Sequence, residues 1–97
     1  MSDYMIWGNG YYIGRVDFYD KEKNISYILM VGYIENNYYR DKNPLYIRLF
    51  SEKEQLLCGA WISGVSNNKF FKEYFSQNTL SQCIEQAKRI AKLKVFS

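Results

Sequence analysis

Histidine is absent from these 97 residues, and with it go the usual proton shuttle and the commonest metal ligand. No Ser-His or Cys-His pair can activate a nucleophile. Cysteine is scarce as well. Cys58 and Cys83, one on a strand-like and one on a helix-like stretch, cannot complete a four-ligand zinc site without carboxylates. They read as buried reduced thiols of a cytoplasmic protein, with a disulfide left open on geometry. One proline (Pro44) and six glycines leave little for flexible linkers. Long apolar runs are missing: Tyr27 to Ile34 is the longest, far short of the ~20 residues that span a bilayer. Met1-Ser2-Asp3-Tyr4 has no basic segment leading into an apolar one, so no signal peptide is read there. A soluble, cytoplasmic protein is the expectation.

The charge balance is also unremarkable. A net charge of +3 comes from 13 basic and 10 acidic residues interspersed along the chain. The pI of 8.8 falls below the value above ~9 that marks dedicated nucleic-acid domains. At 97 residues, with 47% apolar and 24% charged side chains, the chain is sized and composed for one globular domain.

What the sequence does have is tyrosine, ten of them. Tyrosine offers a stiff, amphipathic contact surface that orders at low entropic cost, which suits binding faces. Lys, Asn, Ile and Tyr number 9, 8, 9 and 10, and all four have A/T-rich codons. Such a bias is common in AT-rich bacteria, their phages and their plasmids, so placement counts for more than number.

The first two-thirds carry strand signals. Tyr4 to Trp7 precedes the turn residues Gly8-Asn9-Gly10. Tyr11 to Tyr19 alternates, with Tyr12, Gly14, Val16 and Phe18 on one face and Tyr11, Ile13, Arg15, Asp17 and Tyr19 on the other. Ile25 to Glu35 is apolar on both faces, the mark of a central strand. Leu45 to Phe50 and Leu56 to Ile62 alternate again, separated by the polar turn Ser51 to Gln55. The last third switches period. Phe70, Phe71, Tyr74 and Phe75 fit one face of a short helix that Asn67 or Asn68 would cap. Thr79-Leu80-Ser81-Gln82 has the form of a capping box, and Leu80, Cys83, Ile84, Ala87, Ile90 and Ala91 form an apolar stripe to about Leu93. The predicted fold is α+β: a four- to five-stranded antiparallel meander over about 3–65, with one short and one longer C-terminal helix over about 68–94, packed on one face. Thr79 to Ala87 is similar to the helix that opens after the sheet in HicB-like antitoxin domains. That likeness spans under ten residues, lacks the family's preceding glycine turn and amounts to generic capping chemistry.

No catalytic constellation emerges. Asp17, Asp20, Glu22 and Glu35 show no spacing that implies a shared cleft, and Ser63 and Ser66 flank Gly64 outside any nucleophile-elbow pattern. Gly8-Asn9-Gly10 leads into a strand and lacks the helix N-terminus that phosphate loops use. The reading is a non-enzymatic module with no cofactor and no metal. Its candidate contact patch is Tyr38, Tyr39 and Arg40 on the connection from Asn36 to Pro44, joined by Tyr46 and Arg48 on the adjoining strand. These are the residue types that dominate binding energy at interfaces. Tyr11, Arg15 and Tyr19 on the outer sheet face are secondary candidates. The basic stripe Lys88, Arg89, Lys92 and Lys94 reads as a solvated helix face. The expected role is inhibitor or regulator of a larger host protein complex, of the anti-defence kind that phages and mobile elements encode, such as an anti-CRISPR. Single-stranded nucleic-acid binding on the outer Tyr/Arg face is the alternative.

Overall fold

The computed structural model describes residues 6–8, 10–33 and 45–96, with side chains through residue 92. In chain order the elements are β1 (Tyr11–Asp20), β2 (Ile25–Tyr33), β3 (Tyr46–Ser51), β4 (Leu56–Trp61), a 3-10 turn (Val65–Asn67), α1 (Lys69–Tyr74) and α2 (Gln77–Phe96). The strands make one open antiparallel sheet in the order 1-2-3-4, and both helices pack on one face. This is the α+β meander that the apolar periods predict. Among the described residues it has four strands. Ile6 and Trp7, read from sequence as strand, are helical instead. Gly8 and Gly10 have φ of +89° and +116°, the left-handed conformations that make this segment turn before β1.

Helix-facing side chains form the main core. Tyr27, Leu29 and Val31 of β2 meet Ile47 and Leu49 of β3, and Phe71, Phe75, Leu80, Cys83 and Ala87 close over them. Each large aliphatic or aromatic side chain fully buried here is worth about 1.5–3 kcal/mol. Phe75 is the aromatic hub, edge-on to Tyr27 at 5.1 Å and to Phe18 at 5.8 Å. The short helix does not bury all four of its expected aromatics. Phe71 and Phe75, four apart, are buried and Tyr74 is half-buried, whereas Phe70 stays 50% exposed beside the Lys69 ammonium.

Local hydrogen bonds set the ends of these elements. Asn68 caps α1, its Oδ1 accepting from the Phe70 and Phe71 amides. The long helix starts earlier than its sequence implies. Ser76, not Thr79, stands at its start: Ser76 Oγ accepts from the Thr79 amide at 3.3 Å and the Ser76 carbonyl from the Leu80 amide. Thr79 therefore lies inside the first turn, and the capping-box reading of Thr79 to Gln82 fails. At the β1–β2 turn, buried Asp20 accepts from the Glu22 and Lys23 amides, and Asn24 takes the left-handed conformation. Lys23 Nζ then donates to the Glu73 and Tyr74 carbonyls, tying this turn to the end of α1.

Two bulges redistribute side chains between faces. On β1, Tyr12 pairs with Gly32 but Gly14 pairs with Val31, leaving Ile13 as the extra residue. Tyr12 is thereby placed on the face away from the helices, and Tyr11 is turned from that face, opposite to the alternation read from the sequence. On β4, Leu49 pairs with Cys58 and Phe50 with Leu56, so Leu57 is extra and packs against the main core. Leu56 is left 60% exposed.

Gly32 sits where two elements meet. A Cβ there would run into the Tyr11 carbonyl oxygen and lie 2.8 Å from Trp7 Cζ2. At Gly14 a Cβ would meet side-chain atoms alone, the Cγ2 methyl of Ile90 at 2.5 Å. Gly32→Ala is therefore expected to cost about 1–3 kcal/mol through forced overpacking. Gly14→Ala should cost less, because the obstacle there is one side chain that repacking can shift and not a strand backbone. Urea denaturation of both variants checks this, and equal losses would contradict the packing at Gly32.

Candidate functional site

The sheet face turned away from the helices is organised in cross-strand rows. Tyr12, Gly32, Tyr46 and Trp61 form the first; Arg15, Met30, Arg48 and Gly59 the second; Asp17, Ile28, Phe50 and Leu56 the third. Because β2 and β3 put Ile28, Met30 and Phe50 here, half of this face needs cover. Trp7 supplies it. Its ring is fully buried and forms a second apolar cluster with those three residues, with Ile6, Tyr12 and Tyr46 packed against it.

Arg48 fastens that cover. Its guanidinium lies 4.6 Å from the centroid of the Trp7 ring and 5.6 Å from that of Tyr46, and Nη1 donates to the Trp7 carbonyl. Tyr46 in turn stands edge-on to Trp61 at 4.9 Å and lies over Gly59, where a Cβ would be 2.8 Å from its ring. The two strand residues expected in the contact patch thus do meet, but as parts of an internal clamp. Tyr38, Tyr39 and Arg40 lie outside the described residues. Trp7 and Trp61 are not among the candidate site residues that the sequence offers, although a tryptophan just ahead of a Gly-x-Gly turn is a signal.

The β1 half of the face is more open. Arg15 Nε donates to Asp17 Oδ1 at 2.9 Å, with the Asp17 side chain 72% exposed. Tyr19 is 52% exposed and donates to Asn24 Oδ1. Arg15, Asp17, Ser26, Ile28 and Glu52 line a recess of about 210 Å³. Arg15 and Tyr19 therefore share one surface, as expected. Tyr11, 59% exposed, is separated from them by the bulge.

Neither cysteine is set up for chemistry. Burial, with a smaller contribution from Glu73, pushes the Cys58 thiol up to about 11. Burial, then Asp20, pushes Cys83 up to about 12. Tyr27 is also raised, by burial first and Asp20 second. Both cysteines are free thiols on the helix-facing side. Among the described residues no group of three or more His, Cys, Asp or Glu side chains is placed to hold a metal ion. No helix among them is long and apolar enough to cross a membrane. Comparison with protein-family models, curated proteins and solved structures returned no match to this chain.

Two outcomes follow from this geometry. Arg48→Met should destabilise the fold by about 2 kcal/mol, the loss of a desolvated cation–π contact and a charged hydrogen bond. Arg48→Lys should recover only part of it, since the planar guanidinium both stacks and donates. Chemical denaturation measures both, and full recovery by lysine would contradict the stacked geometry. For the thiols, alkylation of native protein at pH 8 should run at least about a hundredfold slower than for a free thiol of pKa ~8.5, with Cys83 slower than Cys58, and denaturant should abolish the difference. Raised thiol values also mean that this contribution to stability holds below the unfolded value and is lost as pH climbs towards 11–12.

Proposed function

We propose that this chain is a non-enzymatic protein-binding module that inhibits or regulates a larger host protein complex, of the anti-defence type that phages and mobile elements direct at their hosts, such as an anti-CRISPR. One observation carries the reading. Among the described residues the second face of a hydrogen-bonded sheet is closed by Trp7 and Arg48 on one half, and its other half offers Tyr19, an Arg15–Asp17 ion pair and a recess lined in part by Ile28. A rigid strand carrying an exposed tyrosine beside paired charges suits a protein surface, because little ordering entropy is lost on binding. Size and A/T-biased composition support the host-directed role by association only. Tyr38, Tyr39 and Arg40 remain part of the proposed patch on sequence grounds.

Single-stranded nucleic acid suits this face less well. Arg48 is occupied by Trp7, Arg15 is paired with Asp17, and Asp17 and Glu52 border the recess a phosphate would have to approach. The tagged chain should retain a stoichiometric protein partner from a bacterial lysate. Tyr19→Ala should then weaken that complex by about 2 kcal/mol, and Lys88→Ala on α2 by well under ~1 kcal/mol. Recovery of no partner would overturn the proposal. Tight binding of short single strands that falls steeply with salt would favour nucleic acid instead.

A further inference from the structure

An open sheet has two edges, and here they differ. The β4 edge is short, six residues, and its pairing is broken by the Leu57 bulge, a common way of blunting an edge. β1 is ten residues long, and from Gly14 to Asp20 its pairing with β2 is regular. Among the described residues β1 is hydrogen-bonded on one side only. Seven residues in continuous register thus present a template for another strand.

The side chains along this edge select the occupant. Two copies related by a two-fold axis through the sheet keep both helical layers on one side, and that arrangement sets residues on the same face directly opposite each other. Centring the axis on Arg15 would oppose Arg15 to Arg15, and centring it on Asp17 would oppose Asp17 to Asp17. Centring it on Val16 instead opposes Arg15 of each copy to Asp17 of the other, twice. On the helix-facing side the same register sets Gly14 of one copy, which adds no side chain of its own, against Phe18 of the other. The helices agree. Phe18 packs on Phe75, just before α2, and Gly14 lies under Ile90 well along it, so α2 runs opposite to β1. The two-fold axis then brings the two long helices side by side with opposed dipoles.

We propose that β1 is a self-association edge: two copies pair antiparallel through β1, centred on Val16, into one eight-stranded sheet held in register by reciprocal Arg15–Asp17 contacts. This is a statement about the strand edge and stands apart from the protein partner proposed for the sheet face. A single strand pair is smaller than a standard interface, so the dimer is weak and concentration-dependent.

Sedimentation velocity over a wide concentration range tests it. Wild-type mass should rise from 11.6 kDa towards twice that value. R15D opposes two pairs of carboxylates and D17R two pairs of guanidinium groups. Each should weaken self-association at least about tenfold. An equimolar mixture of R15D and D17R restores unlike charges at both contacts and should form a heterodimer where neither variant dimerises alone. The double variant R15D/D17R keeps both the internal pair and the cross-copy pairs, so it should dimerise like wild type even if a single variant folds poorly. A wild-type chain that stays monomeric throughout overturns the proposal. So does a dimer indifferent to both single variants, or a double variant that folds but stays monomeric.

Discussion

β2 carries apolar side chains on both faces, and covering both at once constrains everything around it. Tyr27, Leu29 and Val31 point to the helices, while Ile28 and Met30 point the other way. Among the described residues, two stretches beyond the sheet cover them. The C-terminal third becomes the helical layer because its apolar stripe matches one face. On the other face, among the described residues, Trp7 ahead of β1 is the large side chain that does it. Leaving Trp7, Met30 and Phe50 wet would forfeit several kcal/mol, at about 1.5–3 kcal/mol for each buried side chain. Gly8 and Gly10 permit the reversal that lays Trp7 back over the sheet, and Gly32 leaves the space its ring occupies.

Arg48 makes that arrangement specific. An aliphatic residue at this position would add apolar area but would not select one orientation of the tryptophan. The guanidinium does, by stacking between two rings while donating to the backbone of the residue it covers. Trp7 Nε1 is buried without a hydrogen-bond partner among the described residues, so burial of the ring outweighs the desolvation of one N–H. The consequence for binding is direct. An arginine on an alternating strand reads from sequence as a free recognition group, yet here its charge is spent inside the fold. What remains for a partner is the β1 side, where Asp17 and Tyr19 are exposed.

Periodicity made much of this legible. Strands β1 to β4, the central place of β2, a cap at Asn67 or Asn68 and the apolar stripe of α2 all follow from local sequence patterns. Three features did not, and each has a physical reason. A bulge adds one residue without any composition signal, so Ile13 and Leu57 shifted Tyr12 and Leu57 to faces that strict alternation denied them. Ser76 and Thr79 are both competent caps, and which one is used depends on where Phe75 must stand in the core, a tertiary demand. The Trp7–Arg48 contact joins residues 41 apart in sequence, and no local pattern announces it. The same contact separates two groups that the sequence had placed on one surface: Tyr46 and Arg48 belong to the clamp, and Arg15 and Tyr19 to the open side.

The open side and the β1 edge share residues, and at Arg15 and Asp17 they share side chains as well. Edge pairing engages backbone N–H and C=O groups in the plane of the sheet, whereas face binding engages side chains standing out of it. Arg15 and Asp17 belong to both, and this links the two proposals. Inside one chain they form an exposed pair worth little on its own. Across a Val16-centred axis the same two residues become a four-charge cluster of alternating sign, in which each guanidinium has two carboxylates to choose from. The recess bordered by Asp17 and Glu52 would then recur on both sides of the axis, with Tyr19 beyond it in each copy. A face doubled in this way favours a partner that can meet both halves, since a second contact made on one scaffold adds to the first at a high effective concentration. A weak edge contact can therefore matter more to binding than its own affinity implies.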